Sequence, residues 1–406
     1  MEEICNSKLK FLTKDNKNYM RNTTVFRLCF TWTILYLSGF VLAQPPRGPF
    51  VVSPQVLPDK KITFRYLAPS AKEVKLGGSQ FGAANLAMTK DSIGIWSVTV
   101  GPVKPDIYPY SFTVDGVTVM DPANEDFFPN ERFKASLVDV PGFTPLIHVV
   151  RDVPHGSVNY EYYTSAQGTT GTLVVYTPPG YDKDATKKYP VFYLISGTTD
   201  TEETFFKVGR TNFILDNLIA EGKAKPMIIV MPYGNIEARI AEQKGGAKPA
   251  DPTGRESADA MNRMKGFAED MTKNIIPYVD KTYRTIANRE ARAIGGFSRG
   301  GGQTLRTAFW NMDKFAWICC YSAYLPPTEM ENSYQSLVSN PEATNKQLKM
   351  LWVSVGTEDF LYNSTAEFLN YLTSKKIKYK SLITGGGHTW MNVKTYLAET
   401  AQLLFK

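Results

Sequence analysis

The sequence predicts a doubly wound, mostly parallel α/β sheet preceded by a small all-β sandwich. Three observations carry that prediction. From Val158 onward, near-continuously apolar runs at 172–176, 191–195 and 227–231 alternate with helical stretches such as 212–220, the pattern of a sheet covered on both faces. Between Pro54 and Pro141 the texture is instead one of short alternating strands separated by turn signals. Third, a short apolar run beginning at Ala293 leads into Gly296-Phe297-Ser298-Arg299-Gly300 and then into a helical stretch.

The amino terminus stands apart from both regions. Residues 27–43, RLCFTWTILYLSGFVLA, form an apolar run without an acidic residue, with basic residues before it and Gln44-Pro45-Pro46 after it. This is the pattern of a secretory signal cut after Ala43, giving a secreted or periplasmic protein with no stable membrane insertion. The preceding polar stretch is long for a signal, and a start at Met20 instead of Met1 would give one of ordinary length. The alternative is an uncleaved anchor through 27–43, which is near the short limit for crossing a bilayer. Without residues 1–43 the chain carries 40 basic against 36 acidic residues, a net charge of +4. No basic run stands out, so nucleic acid is not an expected partner. Cys5 and Cys29 leave with the signal. Cys319 and Cys320 are adjacent in an apolar segment, which favours two buried free thiols over a strained vicinal disulfide. No metal-ligand spacing is found.

Residues 44–141 read as a linker followed by a sandwich of about ninety residues. The runs 61–66, 95–100 and 108–114 alternate, with turns at Ser92-Ile93-Gly94 and Asp115-Gly116. Trp96, Tyr108 and Tyr110 are candidates for a sugar-stacking face, but aromatics in such a pattern more often fill the core. Residues 142–157 are a join, and residues 158–406 the α/β domain. His148 and His155 precede the sheet and are assigned no chemistry. A helix is expected between 260 and 283, and two more at 364–375 and 389–404. The polar stretch 234–257 reads as a surface loop or partial lid, and 325–345 as a loop lining the pocket.

The chemistry follows from order. Gly296, Ser298 and Gly300 satisfy the G-x-S-x-G pattern of a nucleophile elbow, in which a serine on a sharp strand-to-helix turn tolerates only small neighbours. Alone, that pattern is moderately specific. A serine hydrolase on such a sheet also needs an acid and then a histidine downstream. His388, in Gly385-Gly386-Gly387-His388-Thr389-Trp390, is the only histidine after Ser298. Between them the apolar run 351–356 ends at Thr357-Glu358-Asp359. Ser298, Asp359 and His388 therefore stand in the required order as nucleophile, orienting acid and base, and Glu358 competes with Asp359 on spacing. Ser196-Gly197-Thr198-Thr199-Asp200, just after an apolar strand, is placed to supply a second oxyanion amide. The backbone N–H groups of Thr198 and Arg299 are the candidates. Trp390 and the Arg299 side chain are candidate substrate contacts. No cofactor is required.

Tyr176-Thr177-Pro178-Pro179-Gly180-Tyr181, the segment 209–219, the elbow, Gly356-Thr357-Glu358-Asp359 and Gly387-His388-Thr389-Trp390 together resemble the esterase-D-like carbohydrate esterases, a group that includes feruloyl and acetyl-xylan esterases. The stretches Arg65-Tyr66-Leu67-Ala68-Pro69-Ser70-Ala71 and Tyr110-Ser111-Phe112-Thr113-Val114-Asp115-Gly116 are similar to the early-set immunoglobulin-like, glycogen-binding-module-like domains that often precede them. The resemblance implies an α/β-hydrolase fold and a Ser298-His388-Asp359 triad. It also implies a secreted enzyme of a plant-polysaccharide-degrading bacterium that removes feruloyl or acetyl groups from cell-wall polysaccharide such as xylan. Two departures bear on the substrate. Ser196-Gly197 replaces the usual His-Gly, as in formylglutathione-hydrolase relatives, and Phe297 and Arg299 replace Leu and Met around the serine. An arginine there suits a uronate-like anion, or solvent, or a carboxylate partner. An esterase for a small siderophore ester or thioester, a peptidase, and a non-catalytic carbohydrate-binding protein are the competing readings.

Overall fold

A computed structural model describes residues 49–166, 168–246 and 258–406; the apolar run at 27–43 and the segment 247–257 lie outside the described residues. Residues 53–406 form one compact unit. Its first part contains nine strands, β1 (Gln55–Val56), β2 (Ile62–Leu67), β3 (Val74–Gly78), β4 (Ala83–Ala87), β5 (Thr89–Lys90), β6 (Ile95–Val100), β7 (Asp106–Val114), β8 (Val117–Val119) and β9 (Ser136–Val140). They form two antiparallel sheets, ordered β1-β2-β6-β5 and β4-β3-β7-β8, with β9 paired to the start of β7. Alternation explains why they stack. Ile62 and Phe64 on β2, Leu76 on β3 and Tyr110 and Phe112 on β7 point to one shared apolar core. Trp96, Tyr108 and Tyr110 belong to that core and are at most 8 % exposed, so they offer no stacking face. The Tyr110 hydroxyl donates to Asp121 Oδ2 at 2.7 Å, which satisfies its buried oxygen.

Eight more strands follow: β10 (Ser157–Thr164), β11 (Thr170–Thr177), β12 (Val191–Ile195), β13 (Ile228–Pro232), β14 (Arg292–Phe297), β15 (Trp317–Tyr321), β16 (Met350–Gly356) and β17 (Lys380–Thr384). They form one sheet in the order β10-β11-β13-β12-β14-β15-β16-β17, in which β11 runs against the other seven. The central strands β12, β14, β15 and β16 are buried along their whole length, which is why they are apolar without alternation. Cys319 and Cys320 lie on β15 as buried free thiols, and burial pushes both thiol pKa values up.

Helices Thr211–Ala220 and Trp390–Leu403 pack on one face around Phe205, Ile214, Leu218, Tyr396 and Leu397. Helices Ala258–Asp270, Ile276–Thr282 and Arg299–Trp310 cover the other, and a π-turn at Met271–Ile275 joins the first two. Two expected loops are partly helical. The described part of 234–257 contains a helix at Ile236–Gln243, whose last side chain is fastened to β11: Gln243 Nε2 donates to Thr170 O at 2.8 Å. The stretch 325–345 carries the short helices Pro327–Ser333 and Gln335–Ser339 and the start of Pro341–Gln347. Pro327 and Pro341 stand in the first turns of two of these helices, where a missing N–H costs nothing. Among the described residues no helix is long and apolar enough to cross a membrane.

Candidate active site

Parallel strands deliver their carboxyl ends to one edge of the sheet, and the loops at that edge carry every residue singled out for chemistry. At the end of β14, in the middle of the sheet, Ser298 has φ 55° and ψ −119°. A residue with a side chain is strained there, and such a conformation persists only when its surroundings over-determine it. Two backbone bonds fix it: Ser298 N donates to Tyr321 O at 2.9 Å, and Gly302 N donates to Ser298 O at 3.0 Å. Close packing explains the flanking glycines. A Cβ on Gly296 would sit 2.4 Å from Gly300 O, and one on Gly300 would sit 2.1 Å from Ile195 O.

Beyond β16, Asp359 is buried beneath the edge. Its Oδ2 accepts from His388 Nδ1 at 2.8 Å and its Oδ1 from the Leu361 amide at 2.8 Å. Burial alone would raise its pKa, but the hydrogen bonds from His388 and Leu361 outweigh that and hold the carboxyl below its usual value. Glu358 points outward and is exposed, while its amide donates to Gly386 O at 3.0 Å. The geometry thus separates two acids that spacing could not. With Nδ1 committed to Asp359, His388 keeps Nε2 for proton transfer. The imidazole also packs against Phe297, the neighbour of Ser298, at 4.6 Å between ring centroids and against Phe360 at 4.5 Å. No hydrogen bond joins Ser298 Oγ to His388 among the described residues, and such contacts commonly tighten only when substrate binds.

Thr198 lies in the loop after β12, beside the elbow, and Arg299 is the first residue of its helix. Among the described residues neither amide makes a turn or cap hydrogen bond. The side chains of the two candidate substrate contacts are both turned inward, Arg299 towards the carboxylate partners that are one of its expected alternatives. Arg299 is turned into the protein: its Nη2 donates to Gly197 O at 3.3 Å and it lies in the fields of Glu131 and Asp200. Burial lowers its pKa, and the two carboxylates pull it back. Trp390 is buried, edge-on to Phe205 at 4.9 Å and to Phe297 at 5.4 Å, so it supports the elbow from below and presents no open ring face.

Several side chains near the site were given no role by the sequence. Asp200 is buried, and that burial lifts its carboxyl to about 7 against the opposing pull of Asn130 and Arg299. Asn130 and Glu131 come from the segment between β8 and β9, some seventy positions upstream. Gln303 Nε2 donates to Gly234 O at 2.7 Å and holds the loop after β13 against the elbow helix. A second His–Asp contact, His155 Nδ1 to Asp216 Oδ2 at 2.8 Å, pins the join to helix Thr211–Ala220, and Asp216 Oδ1 is already occupied by the Tyr176 hydroxyl and Gly156 amide.

Comparison with known proteins gives three kinds of likeness. The family model Esterase matches residues 164–394. An endo-1,4-beta-xylanase/feruloyl esterase of Xylanibacter ruminicola is 28 % identical over 374 residues, which is 89 % of this chain and 47 % of that protein. Endo-1,4-beta-xylanase Y of Acetivibrio thermocellus is 28 % identical over 62 % of this chain and 23 % of its own length. The chain therefore spans about half, or less, of these relatives. Among solved structures, the feruloyl esterase module from Clostridium thermocellum complexed with sinapinate has TM-score 0.52 at 24 % identity, covering 64 % of this chain and 92 % of that one. The enterobactin esterase of Shigella flexneri has TM-score 0.58 at 13 % identity, covering 85 % and 93 %. These structural likenesses are of fold, the α/β hydrolase.

Proposed function

Because the chain belongs to the Esterase family and is a carboxylic ester hydrolase, we propose that it is an exported serine esterase that removes feruloyl or acetyl groups from plant cell-wall polysaccharide such as xylan. The observation that carries the mechanism is the His388–Asp359 hydrogen bond of 2.8 Å at the sheet edge where Ser298 is held at positive φ. In this reading Ser298 Oγ attacks the ester carbonyl while His388 Nε2 takes its proton. The amides of Thr198 and Arg299 hold the oxyanion, and the sugar hydroxyl leaves with the proton returned by His388. Water then releases the acid by the same steps in reverse. Asp359 stays ionised throughout, orienting the imidazole and stabilising the imidazolium, as its lowered pKa suits. Each oxyanion donor is worth roughly 3 kcal/mol in comparable hydrolases. The polysaccharide substrate is supported by the names of the two bacterial relatives, and export by the apolar run at 27–43.

The test is hydrolysis of methyl ferulate beside 4-nitrophenyl acetate by the wild type and by Ser298→Ala. Serine-dependent cleavage of the ferulate is the expected result. Cleavage of the acetate alone would move the assignment to an acetyl esterase with a small pocket. Activity in Ser298→Ala near that of the wild type would remove Ser298 from the reaction.

A further inference from the structure

We infer that Asn130, from the all-β part of the chain, is a positioning residue that locks the loop carrying the Thr198 amide. The inference rests on the serine-esterase reading above and concerns a contact made onto the site by Asn130, which lies outside the 164–394 stretch that matches the family.

The loop Gly197–Asp200 has little of its own to hold it. Its one internal backbone bond is a long one, Asp200 N to Gly197 O at 3.3 Å, and Thr199 has φ 64°, a strained value for a β-branched residue. The restraint comes from the segment between β8 and β9. Asn130 is 4 % exposed and its Nδ2 donates to Thr199 Oγ1 at 3.0 Å and to Asp200 Oδ1 at 3.1 Å. Its Oδ1 accepts from the amides of Arg132 at 2.9 Å and Phe133 at 3.3 Å, so the side chain is itself fixed in place. On either side of it, Glu131 N donates to Thr199 O at 2.8 Å and Thr204 Oγ1 donates to Pro129 O at 2.8 Å. Asn130 and Asp200 form a β-bridge.

This is a clamp built from a distant segment onto the two residues that follow Thr198. It holds Thr199 in its left-handed conformation and Asp200 beneath the loop, and those two settings fix the direction of the Thr198 N–H. The all-β part is then more than an appendage: one of its loops completes the oxyanion site.

The experiment uses the full chain with Asn130→Ala, Thr199→Val and the double variant. A donor misplaced by about 1 Å costs up to ~100-fold in rate. The expected result is therefore a fall in kcat of about 10- to 100-fold with KM within about twofold, in each single variant. Inhibition by phenylboronic acid, which fills the nucleophile and oxyanion positions, weakens with kcat, whereas inhibition by the product acid does not change. The double variant is no worse than the poorer single one, because Asn130→Ala already removes the bond to Thr199 Oγ1 that Thr199→Val removes. Amide exchange at 198–200 accelerates in Asn130→Ala, a readout independent of turnover. A lowered Tm with unchanged kcat, or unchanged exchange at 198–200, would overturn the inference. A wild type inert towards every ester, but with exchange accelerated in Asn130→Ala, would instead sink the esterase reading and leave the clamp standing.

Discussion

Asp359 and Glu358 are adjacent carboxylates with opposite surroundings, and in the proposed mechanism that difference separates their roles. Asp359 is buried and accepts from His388 Nδ1, while Glu358 is exposed. Asp359→Asn keeps the shape but favours the wrong imidazole tautomer, so kcat on 4-nitrophenyl acetate should fall about 10⁴-fold with little change in Tm. Glu358→Gln should stay within about twofold of wild type, since an exposed side chain away from the reacting atoms contributes little. Equal losses in the two variants would contradict the assignment. Phe360 is a different kind of residue. It is 67 % exposed and its ring contacts His388, so it stands at the mouth of the site as an apolar wall. Phe360→Ala should raise KM for methyl ferulate several-fold, by about 1 kcal/mol of lost aromatic contact, and leave KM for a short acetate ester nearly unchanged.

At the scale of elements, the helix Trp390–Leu403 ties the loop of His388 to the all-β part. Its Lys394 is 2 % exposed and pairs with Asp106 at the start of β7. Burial lowers the Lys394 pKa while Asp106 raises it, and burial lifts the carboxyl of nearby Asp139. Removing one partner of a buried pair leaves the other uncompensated, so Lys394→Met should cost about 3 kcal/mol in urea unfolding. Adding Asp106→Leu should recover most of that loss; an additive double variant would show that the two groups do not act as a pair. The elbow is the other element whose geometry admits little change. Ile195 O would meet any Cβ on Gly300, so the turn itself demands glycine there.

Over the whole molecule, acid sensitivity is expected from His148 in the join. Its side chain is buried, its Nε2 has no hydrogen-bond partner among the described residues, and burial, aided by Lys394 and Arg210, depresses its pKa to about 3. The sign follows from which state takes the proton. Above the ordinary value of 6.5 both folded and unfolded chains are neutral at this site and nothing depends on pH. Below it the unfolded chain binds a proton that the folded chain cannot, so stability falls with pH by about 1.4 kcal/mol per unit until about pH 3. Between pH 6.5 and 5 the loss is about 2 kcal/mol. His148→Gln should flatten that part of a plot of unfolding free energy against pH. An unchanged slope would place the acid sensitivity elsewhere.

The sequence by itself determined the sheet class, the G-x-S-x-G elbow and the order of Ser298, Asp359 and His388 along the chain. Those features are local: apolar strands of buried length, glycines two residues either side of Ser298, and one histidine downstream of it. Tertiary structure alone decided which acid meets His388, that Arg299 turns inward to Gly197 O, and that Trp390 is a support. It also brought Asn130 onto a loop some seventy positions later. Such choices depend on which side chains meet across the fold, and a pattern read along the chain holds no record of contacts made between distant segments.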